Sequence, residues 1–348
     1  MLKRLLQLFI LIFALSIVGL IGFIIWNQYP FLPSKTFLGV ELLPDIQIKE
    51  PPQFLKVATY NIQYGIGFSG NRKDHLQRKD FYQRLERLAT ILREIDADIV
   101  FLQEVDFYAR RSQFFDQGYF LAEKAGYPYL AEAPHMKGKF LPFWNGIWGP
   151  VTHGLCILSK FPLLENEARV FTHPKEAPFY VRWLYSPHGA QRTLVQIGKE
   201  RINLFNVHLE PWAQKTREKS VKNLIRWIKE IKGPIILAGD FNAIPPEAPI
   251  KTYHNLEDAP WFIDKAQWKL EKDTTITSIR KLSFSEAIAP TEYLQNETAA
   301  FTFPSNKPVQ KLDYIFAGNG VSIIKGWVFK EADEASDHLP LVAEVEYK

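Results

Sequence analysis

Between Ile235 and Glu247 the chain reads IILAGDFNAIPPE. Four residues suited to a buried strand run into Gly239, and Asp240, Asn242 and two prolines follow. The same arrangement recurs. LKVATYNI (55–62) carries Asn61 near its end, and VFLQEVD puts Glu104 just past a strand at 98–102. FNVHLEP puts His208 at a strand end, and KLDYIF sets Asp313 in or beside a strand. ASDHLP gives Ser336, Asp337 and His338 just before the last strand. Apolar strands that each deliver a polar side chain call for a sheet scaffold, where the strand fixes position and the loop exposes the group.

The remaining pattern agrees. Further strands are expected at 155–158, 193–197, 202–207, 312–316, 321–328 and 339–345. Helical periodicity runs from Arg78 to Ile95, with Phe81, Leu85, Leu88, Ile91, Leu92 and Ile95 on one face. Helices are also expected at 114–125 and 213–231, the second closed by Gly233-Pro234. Strands follow one another more often than they alternate with helices. Two stacked, mostly antiparallel sheets flanked by helices are therefore expected, an α/β single domain over 55–348. The 348 residues are enough for such a core, and 47% hydrophobic against 23% charged is a globular balance. One cysteine, Cys156, allows no intramolecular disulfide.

Ahead of that domain, Leu5 to Trp26 is 22 residues without a charge. About 20 apolar residues span a bilayer as a helix. The competing reading is a cleaved signal peptide, whose apolar region is about 7–15 residues and ends in small residues. This run is longer and ends in FIIWNQYPF, so an uncleaved anchor is expected over 5–26. Lys3 and Arg4 place the short 1–4 end in the cytoplasm and the remainder outside it. Residues 27–54 carry Pro30, Pro33, Pro44, Pro51 and Pro52 and read as a semi-rigid linker. The formal charge is +4, of which Lys3 and Arg4 supply two, so no strongly basic nucleic-acid binder is implied.

The strand-end residues share a chemistry. Glu104, Asp240 and Asp337 suit a hard cation such as Mg²⁺ or Mn²⁺. No Cys/His ligand cluster argues for zinc. A histidine beside a carboxylate is the usual device for activating water. Asp240 and Asn242 lie two apart, on one side of an extended segment, and so can address one centre. Each motif alone reads equally as a turn or a solvated strand end. The set of six is what points to metal-assisted phosphoester chemistry.

TYNI, LQEV, HGLCILSKFPL (153–163), NVHL, GDFN, LDYIF and SDHLP, in this order, resemble the endonuclease/exonuclease/phosphatase superfamily over about 55–348. The resemblance implies a four-layer α-β-β-α sandwich and hydrolysis of a phosphoester. It implies Glu104 as principal Mg²⁺ ligand with Asn61 and Asp337, and His338 as general base oriented by Asp313. Asp240 would hold the nucleophile or leaving group, with Asn242 and His208 on the phosphoryl oxygens. In the deoxyribonuclease branch a glutamate supports the residue equivalent to His208, and Glu132 is the candidate here.

The molecule hydrolysed is not fixed by the family. Tethering favours a phospholipid or other membrane phosphodiester over nucleic acid. Two aromatic groups could rest on a bilayer or pack over a sheet edge: residues 136–150, with Phe140, Phe143, Trp144 and Trp148, and residues 179–185. The helix at 213–231 carries Lys215, Arg217, Lys219, Lys222, Arg226 and Lys229, for anionic headgroups, nucleic acid or solvent alone. An extracytoplasmic nuclease and an inactive binding module on the same fold are the alternatives. A monomer is expected.

Overall fold

Two strand–helix–strand units set the frame. In the first, β3 (Phe54–Asn61) and β4 (Ile99–Ala109) are parallel neighbours joined by helix α2 (Arg78–Ile95). In the second, β9 (Glu200–His208) and β10 (Ile235–Asp240) are parallel neighbours joined by α4 (Gln214–Glu230). Among the described residues the other strand pairings are antiparallel. The structure is a computed structural model and describes residues 2–28, 32–44, 50–68, 76–142, 148–175, 177–178, 182, 187–249 and 273–347.

Among the described residues the strands form two seven-stranded sheets. The first adds β2 (Glu41–Leu42), β5 (Tyr129–Pro142), β6 (Trp148–Ser159), β13 (Val321–Val328) and β14 (Leu341–Tyr347), in the order β13-β14-β3-β4-β6-β5-β2. The second adds β1 (Lys35–Phe37), β7 (Leu163–Val170), β8 (Gly189–Ile197), β11 (Ser285–Glu286) and β12 (Asp313–Gly318), in the order β1-β7-β8-β9-β10-β12-β11. One core joins the sheets to each other and to α2. A second seals Phe205, Leu237 and Phe316 under Leu224 and Trp227 of α4. The layers are therefore helix, sheet, sheet, helix, as the sequence pattern predicts.

Local signals explain the helix bounds. The 3.6-residue stripe of α2 is buried throughout. Full burial of Leu85, Leu88 and Leu92 contributes about 1.5–3 kcal/mol each. Its first turn is closed by the Asp80 carboxylate accepting from Gln77 N–H at 2.8 Å, and Asp96 at φ 50° ends it. Helix α3 spans Gln117–Ala125, not 114–125. Asp116 caps it by accepting from Tyr119 N–H at 3.0 Å, and Phe114 is left-handed at φ 61°.

The proline-bearing segment, expected as a linker, contributes to both sheets. Its short runs KTF and EL pair as β1 on β7 and β2 on β5, so each sheet gains a short edge strand. Ahead of them, α1 (Leu2–Gln28) is long and apolar enough to cross a membrane. Its end rests on the β5–β6 hairpin. Phe23 meets Phe140 edge-on at 6.2 Å, and Asn27 Oδ1 accepts from Phe140 N–H at 2.5 Å. Phe140 in turn stacks on the half-exposed Trp148 at 5.3 Å. Phe143, Trp144 and the aromatic group at 179–185 lie outside the described residues.

Gly239 is where the frame tolerates least. It has φ +147°, and a Cβ there would sit 2.0 Å from the Val207 carbonyl oxygen of the neighbouring strand. Gly239→Ala is expected to destabilise the protein by about 3 kcal/mol or more, since both strain and a backbone clash oppose it. A shift of the denaturation midpoint corresponding to under ~1 kcal/mol would contradict this.

Candidate active site

Parallel pairing puts the carboxyl ends of β3, β4, β9 and β10 at one end of the sandwich, the end at which open α/β sheets place their ligand sites. Register then aligns the chemistry. Asp240 lies directly across from His208 on one side and Asp313 on the other. In the facing sheet Asn61 lies across from Gln103, the residue before Glu104. The sheets are held at this depth by a buried clamp. Gln103 donates to Asn206 Oδ1 at 2.7 Å, and Asn206 donates to the Leu102 and Cys156 carbonyls.

Glu104 is aimed by a β-bulge. Gln103 and Glu104 together oppose the single residue Leu155 between two ordinary pairs, and Glu104 takes φ +55°. The Asn61 amide donates to Glu104 Oε1 and to Asp240 Oδ2, each at 3.1 Å, so it bridges the two sheets. Its oxygen accepts one hydrogen bond, from Gln63 N–H, and keeps a second lone pair. His208 turns Nε2 toward Asp240 at 3.6 Å and Glu104 at 3.9 Å.

The second histidine closes the opposite side. His338 Nδ1 is 2.8 Å from Asp313 Oδ2, and its Nε2 is 3.6 Å from Asp240 Oδ2. Burial disfavours its charge, but the Asp313 and Asp240 carboxylates outweigh that and push its pKa up to about 10. Asp240 is fully buried, and burial with the Asp313 charge lifts it to about 7 against the pull of His338. Ser336 holds the loop by donating to the Asn61 carbonyl at 2.7 Å. Asp337, next to His338, is half-buried and acts on that imidazole through its charge.

Asn242 reaches the centre differently from the period-2 expectation. The strand ends at Asp240, and Asn242 is left-handed at φ +47°. Its N–H donates to Asp240 Oδ1 at 2.8 Å in a turn, and its amide donates to the Leu209 carbonyl at 3.0 Å and to Asp240 at 3.3 Å. Glu132 does not support His208. Its carboxyl faces α3 beside Gly118, and burial together with the Asp116 carboxyl raises it to about 9. The basic helix is also divided. Arg217 is fully buried and held by Asp273 at 3.0 Å and the Glu210 carbonyl at 2.6 Å, while Lys215, Lys219, Lys222, Arg226 and Lys229 form an exposed row along the helix.

The donors fit a hard divalent cation. Glu104 and Asp240 offer carboxylate oxygens that share the Asn61 amide, and Asp240, Asp313 and His338 form a second group whose ligand-capable atoms lie within 4.8 Å of one another. Asp313 Oδ1 is buried without a hydrogen-bond partner among the described residues. Sequence reasoning gave no role to His135, His153, His188 or Glu210: His135 and His188 pack against His208, His153 packs against His135, and Glu210 lies 3.4 Å from His188.

A sequence-family profile described as the endonuclease/exonuclease/phosphatase family matches residues 58–338. Solved structures with this fold include an endonuclease/exonuclease/phosphatase from Beutenbergia cavernae. It is 18% identical with a TM-score of 0.61, over 85% of this chain and 72% of that one. The human Nocturnin catalytic domain with bound sulfate is 16% identical with a TM-score of 0.57, over 89% and 97%. A mannosyl-6-phosphatase from Bacteroides thetaiotaomicron is 17% identical with a TM-score of 0.55, over 84% and 100%. No curated protein sequence matches the chain.

Proposed function

Because the chain belongs to the endonuclease/exonuclease/phosphatase family, we propose that it is a membrane-anchored, Mg²⁺-dependent phosphodiesterase acting on a phospholipid or another phosphodiester at the membrane. Enzymes of this family are divalent-metal-dependent phosphoester hydrolases. Glu104 and Asp337 are the residues to hold the ion, with Asn61 fixing the Glu104 carboxylate. A bound divalent cation supplies positive charge to the phosphoryl oxygens. His338, held by Asp313, takes a proton from the attacking water. Asp240, between the two histidines, orients that water or the leaving oxygen. His208, with Nε2 toward Asp240 and Glu104, is the donor to the leaving group, and Asn242 would meet a phosphoryl oxygen by giving up its amide bond to Asp240.

The observation favouring a membrane substrate is the path from site to anchor. His135 on β5 is packed 6.4 Å from His208, ring to ring. Five residues on, Phe140 touches the end of α1. Five strand residues span about 17 Å, so the catalytic end of the sandwich and the end of the apolar helix lie on one side. An anchor emerging there keeps the site at headgroup level.

The deciding test gives the full-length protein in detergent both mixed phospholipid micelles and supercoiled plasmid, with Mg²⁺. EDTA and Glu104→Gln serve as controls. Release of a lipid headgroup or phosphate product with intact plasmid is the expected result. Nicked plasmid with unchanged lipid would replace the proposal with an anchored nuclease. No metal-dependent product from either would return the fold to a binding role.

A further inference from the structure

Left-handed backbone carries the metal side of the site in two places. Glu104 stands at φ +55° in its bulge, and the chain leaving Asn61 turns through Gln63 at 46°, Tyr64 at 42° and Gly65 at 70°. Residues with a Cβ are strained in this region, so such backbone persists only where its surroundings hold it. The Asn61 oxygen accepts from Gln63 N–H at 3.0 Å, which sets the turn and the Asn61 side chain together. Strand β4 is irregular beyond Glu104 as well. Val105 and Asp106 pair with Gly154 and His153, and then Phe107 is skipped in the register. Whatever fixes Asp106 therefore fixes the bulge two residues before it.

Asp106 is fully buried and held from several directions. Its carboxylate accepts a fork of two bonds from Arg111, Nε at 2.9 Å and Nη2 at 2.7 Å. His153 Nδ1 donates to the same carboxylate at 2.8 Å and lies 3.0 Å from Arg111 Nη2. A guanidinium fork fixes direction as well as distance. Burial opposes the Arg111 charge, but Asp106 outweighs it, and Tyr64 and Glu104 add smaller pulls. The guanidinium also lies over the Tyr64 ring, 3.9 Å from its centre. Gln117, at the start of α3, ties the same two places through the backbone. Its oxygen accepts from Asp106 N–H at 3.0 Å, and its amide donates to the Tyr64 carbonyl at 2.7 Å. Gln117 is itself fully buried. One brace thus joins the strand just past Glu104 to the turn just past Asn61.

We propose that Arg111 and Gln117 are positioning residues for the divalent cation: through Asp106 and Tyr64 they hold the Glu104 carboxylate against the Asn61 amide, at 3.1 Å. The proposal rests on the reading of Glu104 as a ligand. Both residues act through others, so neither is a ligand itself. A small hard cation demands near-ideal ligand geometry, so a loosened brace is felt first as lost cation affinity.

The test reads cation binding apart from activity. Full-length protein in detergent is stripped with chelator and titrated with Mn²⁺, an ion of the same oxygen-preferring class. Free Mn²⁺ is followed by electron paramagnetic resonance, and Glu104→Gln is the reference for loss of the ligand. Arg111→Lys keeps a charge beside Asp106 but loses the fork and the plane over Tyr64. It is expected to weaken Mn²⁺ binding on the order of 10–100-fold, and Gln117→Met is expected to fall in the same range. The Mg²⁺ concentration for half-maximal rate should shift by the same factor, with kcat recovering as Mg²⁺ is raised. A merely structural role would lower the denaturation midpoint and the active fraction without moving either cation constant. Tyr64→Asn is the variant to read if neither buried one folds. Tyr64 is partly exposed, and Asn tolerates the left-handed turn, so only the ring under Arg111 is lost. About 10-fold weaker Mn²⁺ binding is expected there. A folded variant that binds Mn²⁺ as wild type does, while Glu104→Gln binds it more weakly, overturns the proposal alone. Wild-type binding by Glu104→Gln would overturn the ligand reading, and the proposal with it.

Discussion

Replacing His338 by Gln is expected to lower kcat on an aryl phosphodiester by about 10²–10⁴-fold, the range a positioned general base supplies. Gln keeps a donor toward Asp313, so the buried carboxylate is not left bare. Asp313→Asn is expected to fall in the same range for a related reason. Asp313 Oδ2 accepts from His338 Nδ1 at 2.8 Å, which leaves Nε2 as the basic nitrogen; an amide there no longer enforces that tautomer. The two residues act as one unit, so the double variant should lose little more than either single one. The pH profile gives a second reading. Asp313 and Asp240 raise the His338 pKa to about 10, despite burial. A base must be neutral, so activity rises with pH along a limb set by this group. The limb lies below 10 wherever the carboxylates are neutralised. The residual activity of His338→Gln should lack that limb. Near-normal kcat in His338→Gln, or a limb that survives it, would rule out this base.

How far the sequence could carry the fold and site follows from the range of each signal. Periodicity is local and regular in α2, and the helix falls at Arg78–Ile95 as expected. The strand-end motifs are local too, and they place Asn61, Glu104, His208, Asp240, Asp313 and His338 within one cluster. Where a strand lacks alternation, it was not legible. Of the β5–β6 hairpin only 155–158 was expected as strand; the rest mixes Gly138, Pro142 and Gly149 with aromatics, and β6 pairs with β5 on one side and β4 on the other. β1 and β2 are two or three residues long and exist only because a sheet edge is there to accept them. The histidine cluster is less legible still. His135 and His188 meet His208, and His153 meets His135, through register across two sheets, which no spacing in one dimension encodes.

The backbone at Glu104 makes a stability order that an ordinary strand would not. In a strand, Gly is less stable than Ala by about 0.5–1 kcal/mol, because it loses more chain entropy. At φ +55° a residue with a Cβ carries about 1–2 kcal/mol of strain that Gly does not. Both Glu104→Gly and Glu104→Ala remove the carboxylate and the 3.1 Å hydrogen bond from Asn61, so that loss cancels in the comparison. Glu104→Gly is therefore expected to be the more stable of the two by about 0.5–1 kcal/mol, read as a higher denaturant midpoint. Both should lose about 10²-fold or more in kcat/KM, and both should bind Mg²⁺ more weakly. Finding Ala the more stable would mean the bulge relaxes once the carboxylate is gone. Finding Gly the more stable, with both inactive, would identify the left-handed turn as strain held in the frame for the sake of aiming one ligand. The Gln103–Asn206 clamp supports that frame from the residue before, through bonds of 2.7 Å to the facing sheet and 3.0 Å to Thr59.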